Sequence, residues 1–234
     1  MYHVKRAIIV AAGIGERLRP VTASTPKPLV RVNGVPMIET IIDGLRQNGI
    51  REIHVVVGYL KEQFSYLTDR YPGLDLIDNP YYDSCNNIAS LYVARDYLED
   101  VIILDGDQIV RDPAILDPAF TRSGYNAVWT DEETREWLLT LNRDGIVTSC
   151  SRVGGAKGWQ LYSISRWNRE DGSRLRRHLE LEFIEKENRG IYWDDVALFC
   201  HPDAYQLGIR EMSATALVEI DSYEELVALD SSYQ

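Results

Sequence analysis

Residues 11–29 read AAGIGERLRPVTASTPKPL and follow directly on the apolar run Ile8-Ile9-Val10. A strand that opens into a glycine-bearing, cationic turn commits the start of the chain to a strand, a ligand loop and then a helix. Gly13 and Gly15 carry no Cβ, so the backbone there turns tightly and approaches a ligand closely. Backbone N–H groups in such a turn converge on an anion. Arg17, Arg19 and Lys27 add the positive charge that a polyphosphate needs. Two other phosphate motifs are excluded. The dinucleotide fingerprint requires a third glycine where Leu18 stands, and a P-loop requires a Gly-Lys-Ser/Thr that does not occur near residue 13.

The rest of the first half alternates strands with helices. Arg6–Ala11 reads as a buried strand and Pro36–Asn48 as a helix, with Met37, Ile38, Ile41, Ile42 and Leu45 on one face and Gly49 as its stop. Strands are expected at Ile53–Val57, Leu74–Ile77 and Val101–Leu104, and helices at Lys61–Arg70 and Asn87–Leu98. This order implies right-handed βαβ units and a parallel sheet, whose ligands gather at the carboxyl ends of the strands. After about residue 112 the pattern changes. Asn126–Thr130, Trp137–Leu141, Ile146–Ser151 and Gln160–Ile164 read as strands without helices between them, and Ser173–Glu187 and a segment after Asp221 read as helices. The expected fold is α/β: a Rossmann-like mixed, mainly parallel sheet with helices on both faces. One domain, 1–234, is expected, with a nucleotide-binding half over about 6–112 and an acceptor-binding half and lid over about 113–230.

Two aspartates stand out as metal candidates. Asp107 follows an apolar strand in LDGDQ, and Asp221 follows another in LVEIDS. Mg²⁺ takes oxygen ligands and commonly keeps one or two carboxylates plus substrate phosphates. Asp221 is also placed to cap the helix that follows it. Asp105 is the lesser metal candidate, and Glu219 points to the same side of its strand as Asp221.

Composition bounds the partners. A formal net charge of −11 argues against a nucleic-acid surface, though not against a small anion bound by local charge. No apolar run nears the ~20 residues that cross a bilayer, so membrane insertion is not expected. The N-terminal apolar run is too short for a signal peptide and leads into the ligand loop. Three widely spaced cysteines, Cys85, Cys150 and Cys200, suggest neither a metal site nor a disulfide framework. A reducing cytoplasm is the expected location.

The pattern A-A-G-x-G-x-R-L-x-P followed by P-K-x-L is present as Ala11, Ala12, Gly13, Gly15, Arg17, Leu18, Pro20, Pro26, Lys27 and Leu29. It resembles the signature of the nucleotidyltransferases that make NDP-sugars and CDP-alcohols. Five further runs, VGYLKEQF (57–64), NNIASLY (86–92), REWLL (135–139), IYWDD (191–195) and EIDS (219–222), resemble those of bacterial CTP:phosphocholine cytidylyltransferases. The resemblance spans residue 6 to about residue 229.

That resemblance implies a fold of the nucleotide-diphospho-sugar transferase type and a reaction of CTP with phosphocholine, giving CDP-choline and pyrophosphate. It implies Mg²⁺ on Asp107 and Asp221, and Lys27 and Arg17 as catalytic residues at the phosphates. Ala11, Ala12, Gly13, Gly15, Asn87 and Ser90 would meet the nucleotide. Trp137 and Tyr192 would wall a choline pocket, with Asp194 adding negative charge. Aromatic faces attract quaternary ammonium groups by ~0.5–2 kcal/mol each. A sugar-1-phosphate nucleotidyltransferase using UTP, dTTP or CTP, and an enzyme acting on another phospho- or phosphono-amino-alcohol, remain as alternatives.

Overall fold

Arg6–Val10 (β1) is buried on both sides: Ala7 and Ile9 enter one core cluster and Ile8 the other. This explains why its sequence is a continuous apolar run rather than an alternating one. The computed structural model describes Met1–Gln234. Next come Glu52–Val57 (β2), Leu74–Asp78 (β3) and Val101–Asp105 (β4). All four strands are parallel, in the order β3-β2-β1-β4. The chain steps outward from β1 in one direction and then returns to its other side. The crevice at the carboxyl ends of β1 and β4 is therefore a topological switch point, where open α/β sheets bind ligands.

The second half extends the same sheet. Its strands are Gly124–Thr130 (β5), Leu138–Leu141 (β6), Val147–Ser151 (β7), Gly158–Trp167 (β8) and Gly208–Glu211 (β9). Strand β8 runs antiparallel to β5 along nearly its whole length. On its other edge it pairs first with β6 at Trp159 and Gln160, then with β4 at Ile164–Trp167. Strands β6 and β7 form a hairpin, and β9 lies parallel to β5. The result is one mixed nine-stranded sheet.

Helices cover both faces. Met37–Gln47 (α1) and Tyr66–Arg70 (α2) bury Ile38, Ile41, Ile42, Leu45 and Leu67 against the Ile9 side. Ile88–Val93 (α3) and Arg169–Glu180 (α4) bury Ile88, Leu91, Leu175 and Leu179 against the Ile8 side. Trp193–Asp195 (α5) is a single turn that widens into Val196–Cys200, and Tyr223–Leu229 (α6) closes the chain. No helix is long and apolar enough to cross a membrane.

Several boundaries differ from expectation, for local reasons. The helix expected over Asn87–Leu98 ends at Val93, where the Arg95 guanidinium stacks over Tyr92 at 4.2 Å and donates to the Tyr92 carbonyl at 2.8 Å. The chain then tightens into a 3-10 turn over Arg95–Tyr97. The helix expected to begin at Ser173 begins at Arg169, since the Asn168 side chain caps it by accepting the Asp171 N–H at 2.9 Å. Lys61–Arg70 splits into a tight turn over Lys61–Phe64 and the short α2. Strand β9 was not expected; it is short and pairs with one neighbour only.

A third, small cluster fixes the ligand loop. Leu18 and Met37 pack with Ile220 and Leu226, all fully buried. Residues near both ends of the chain thus share one apolar contact, which carries Arg17 towards Asp221. Leu18→Ala is expected to cost about 2–4 kcal/mol, the range for truncating a buried leucine. Urea unfolding of the variant against the parent protein measures it.

Candidate active site

The loop after β1 is shaped around Lys27. Gly15 adopts a left-handed conformation with φ of 69°, and a Cβ there would sit 2.9 Å from the Cβ of Lys27. Glycine is therefore required both for the turn and for the passage of the lysine stem. Thr22 pins this turn by donating from Oγ1 to the Gly15 carbonyl at 2.8 Å, and Tyr59 donates from its hydroxyl to the Thr22 carbonyl at 3.0 Å. Gly13 has an ordinary negative φ, and nothing lies within 4 Å of where its Cβ would be. Its use is open space facing the crevice rather than an unusual backbone angle.

At the end of β4, Gly106 folds back onto β1, donating its N–H to the Val10 carbonyl at 2.8 Å. The close approach needs glycine, because a Cβ would meet Val10 and Ala11 atoms at 3.0–3.1 Å. This turn aims Asp107 at the loop. Lys27, only 7% exposed, places Nζ 2.6 Å from Asp107 Oδ2 and 3.4 Å from Asp221 Oδ1. Arg17 reaches Asp221 Oδ1 from the solvent side at 2.8 Å. Burial alone would lower the Lys27 pKa. Pairing with Asp107 and then Asp221 outweighs it and holds the ammonium above the usual lysine value.

Asp221 is free to face this point because it does not cap α6. Ser222 does so, accepting the Glu225 N–H at 3.2 Å, while Glu225 Oε2 accepts the Asp221 and Ser222 N–H groups. The two aspartates converge as a pair rather than within a cluster of three metal-ligating side chains. Two carboxylates meeting at one ammonium are a donor set that fits Mg²⁺, which completes its shell with phosphate oxygens and water.

Around this point lie two connected recesses. The larger, about 540 Å³, is lined by Ala11, Ala12, Gly13, Gly15, Asn87 and Ser90. The structure thus brings together all six residues expected to meet a nucleotide. Asn79, Tyr82 and Cys85 line it too and were not singled out as ligand residues, since they lie in the irregular segment after β3, and Asn86 joins them from the start of the NNIASLY run. Ser90 is buried and accepts the Asn79 side-chain amide at 3.0 Å. Asn87 Oδ1 accepts the Trp193 N–H at 2.8 Å, tying the larger recess to α5.

The smaller recess, about 260 Å³, holds Trp137, Tyr192 and Asp194 together. It shares Arg17, Lys27, Asp107, Asp105 and Tyr192 with the larger one. The Trp137 and Tyr192 rings stand at 90° with centroids 5.7 Å apart. Asp194 is buried beside the Tyr125 hydroxyl, but its Oδ1 and that hydroxyl each lack a well-formed hydrogen bond. Burial, reinforced by the charge of Asp105, pushes its carboxyl well above the usual carboxylate range.

Six carboxyl groups line this recess: Asp105, Asp107, Glu136, Asp194, Glu219 and Asp221. Glu136 was not expected there; Asp105, the lesser metal candidate, lines it beside Asp107. Burial and the neighbouring Asp107 push Asp105 up to about 7. Glu219 also rises to about 7; although its residue surface is exposed, protein surrounds its carboxyl, and Asp105, Asp107 and Asp221 face it. It accepts a hydrogen bond from Gln108 at 2.7 Å.

Comparison with known proteins agrees with this geometry. The model of the MobA-like NTP transferase domain matches residues 7–172. The chain belongs to the MobA-like NTP transferases. It is 39% identical over 229 residues to a 2-aminoethylphosphonate cytidylyltransferase of Lancefieldella rimae, covering 97% of this chain and 92% of the relative. It is 34% identical over 227 residues to a choline-phosphate cytidylyltransferase of Streptococcus pneumoniae, covering 96% of each. The solved structure of CTP:phosphocholine cytidylyltransferase from that species superposes with a TM-score of 0.90, at 34% identity, over 99% of this chain and all of the other. The inositol-1-phosphate CTP transferase of T. maritima shares the fold, with a TM-score of 0.74 at 17% identity. The chain is thus a cytidylyltransferase, as its resemblance to the phosphocholine enzymes implied.

The raised Asp105 pKa has a consequence for this enzyme's stability. The folded protein binds the Asp105 proton more tightly than the unfolded chain, whose Asp value is near ~3.9. The stability it contributes is full below ~4 and is lost as pH rises through about 7. Asp105→Asn is expected to flatten the fall in stability between pH 4.5 and 7.5 by on the order of 1 kcal/mol. Denaturant titrations at the two pH values, in chelator, measure it.

Proposed function

We propose that the enzyme transfers a cytidylyl group from CTP to a small acceptor carrying a phosphate or phosphonate at one end and an ammonium at the other. One observation carries this reading: a recess that is both aromatic and acidic opens directly onto Lys27 and Asp107. An ammonium seated there leaves the acceptor's anionic end at the phosphate loop. A sugar phosphate offers no cation to such a recess.

An acceptor oxygen attacks the α-phosphorus of CTP in line, a new P–O bond forms, and pyrophosphate leaves. The nucleophile is already ionised at neutral pH, so no general base is needed. What the protein must offset is the meeting of two polyanions, where each pair of unit charges ~4 Å apart repels by ~1 kcal/mol in water and by more in a drier site. Lys27 stabilises charge at the α-phosphate, and Arg17 holds the departing phosphates with its planar fork. Asp107 and Asp221 would hold Mg²⁺, which supplies charge neutralisation on the phosphate oxygens. Ala11, Ala12 and Gly13 support the base and ribose through their backbone, with Asn87 and Ser90 opposite.

Within the class, the right-angled pair of Trp137 and Tyr192 suits trimethylammonium, and phosphocholine is the acceptor it favours. A second reading, 2-aminoethylphosphonate, is favoured by the unpartnered Oδ1 of Asp194. That oxygen can accept a hydrogen bond from a primary ammonium, which trimethylammonium cannot donate. The Lancefieldella relative supports the same alternative.

Pyrophosphate release with a panel of acceptors tests the reading. Phosphocholine or 2-aminoethylphosphonate with CTP is expected to exceed any sugar 1-phosphate by ~10² or more in kcat/KM. Efficient use of a sugar phosphate would reject the proposal. Lys27→Ala is expected to lower kcat by ~10²-fold or more, the scale of one lost transition-state donor. Unchanged turnover would remove Lys27 from the chemistry. Asp194→Asn should penalise the primary amine more than the quaternary one; equal penalties would discard the second reading.

A further inference from the structure

Trp137 and Tyr192 come from separate parts of the chain, one just before β6 and the other just before α5. Something must hold their rings at a right angle. Tyr192 is half exposed, so packing alone fixes it weakly. Behind the pair stands Arg152, one residue past the end of β7. Its Nη2 lies 2.6 Å from Oδ1 of Asp195, a carboxylate whose side chain is only 2% exposed. The other oxygen of Asp195 accepts the Tyr192 N–H at 2.9 Å, and the Asp195 N–H donates to the Tyr192 carbonyl at 3.1 Å. Arg152 therefore holds the backbone of one aromatic wall through a single intervening carboxylate.

The same guanidinium backs the other wall. It stacks 3.9 Å from the centre of the Phe199 ring and lies 5.7 Å from that of Trp137. Phe199 in turn meets Trp137 edge to face at 5.6 Å and 89°. Arg152 is absent from the lining of the acceptor recess, so it acts through its neighbours. A planar cation is needed here, because one group must pair with a carboxylate and stack on a ring together.

We infer that Arg152 is a positioning residue for the acceptor pocket, locking Trp137 through Phe199 and Tyr192 through Asp195 in the geometry that receives an ammonium group. This rests on the acceptor pocket proposed above. Arg152 lines neither recess; it reaches the larger one only through Tyr192, which lines both, whereas it backs both Trp137 and Tyr192 in the smaller one, so its influence falls more heavily on acceptor binding than on CTP binding.

Steady-state kinetics on Arg152→Ala, Arg152→Lys and Trp137→Ala, with phosphocholine and 2-aminoethylphosphonate each varied against saturating CTP, test it. Arg152→Ala is expected to raise the acceptor KM about tenfold, the worth of one well-placed cation–π wall. The KM for CTP and kcat at saturating acceptor should stay within about twofold. Arg152→Lys, which keeps the charge but not the stack, should fall between. Since Arg152→Ala strands a buried carboxylate, the double variant R152A/D195N is measured beside it; it removes that charge and should show the same acceptor-specific rise. An unchanged acceptor KM in both alanine-containing variants, with Trp137→Ala raising it, overturns the inference and leaves the pocket standing. Equal rises for acceptor and CTP also overturn it, because they report general loosening. If Trp137→Ala itself leaves the acceptor KM unchanged, the pocket is misplaced and the inference falls with it.

Discussion

The buried ammonium of Lys27 is the point on which the rest of the site depends. It joins a loop near the amino terminus to carboxylates 80 and 194 residues further along the chain. A lysine so enclosed is costly unless paired, and pairing it here costs nothing extra in fold, because each partner is delivered by a neighbouring element. Asp107 arrives on the turn after β4, beside β1. Asp221 arrives because Ile220 packs on Leu18 and because Ser222, rather than Asp221, caps α6. The apolar contact and the ion cluster thus specify each other.

The smaller recess sets a contrasting electrostatic problem. Six carboxyl groups in about 260 Å³ would repel one another strongly if all were ionised. The protein relieves this in two ways. Arg17 and Lys27 neutralise the two outermost aspartates, while Asp105, Glu219 and Asp194 are pushed towards their neutral forms by burial and by one another. What is left is a region that welcomes a positive group without requiring a permanent cluster of anions. The formal charge of −11 on the chain says nothing about this; the local arrangement decides.

The parts of this molecule that were legible in the sequence are those governed by neighbours in the chain. The loop after β1 was readable because Gly15, Arg17 and Lys27 lie within one short stretch of the chain. Helix α1 was readable because Pro36 and Gly49 bracket a clean apolar face. Less was visible where distant segments decide. Nothing local marks Tyr82 or Asn79 as lining the larger recess, or Glu136 as lining the smaller one. The early end of α3 turns on the arginine that follows it, and the true start of α4 on an asparagine cap passed over in the sequence. The unpartnered oxygen of Asp194 and the reach of Arg152 exist only once β7 and α5 are brought side by side.

Lys27 also bears on how ligands arrive. An ammonium and a divalent cation cannot occupy the same carboxylate oxygens, so on the proposed metal assignment each competes with the other. A triphosphate changes the balance by offering the lysine a richer set of anionic oxygens, which frees the aspartates. Metal and nucleotide then assist one another's entry, and by thermodynamic reciprocity the assistance is equal in both directions. The resting protein is in this sense self-neutralised, holding the two carboxylates proposed for the metal with an internal counter-ion.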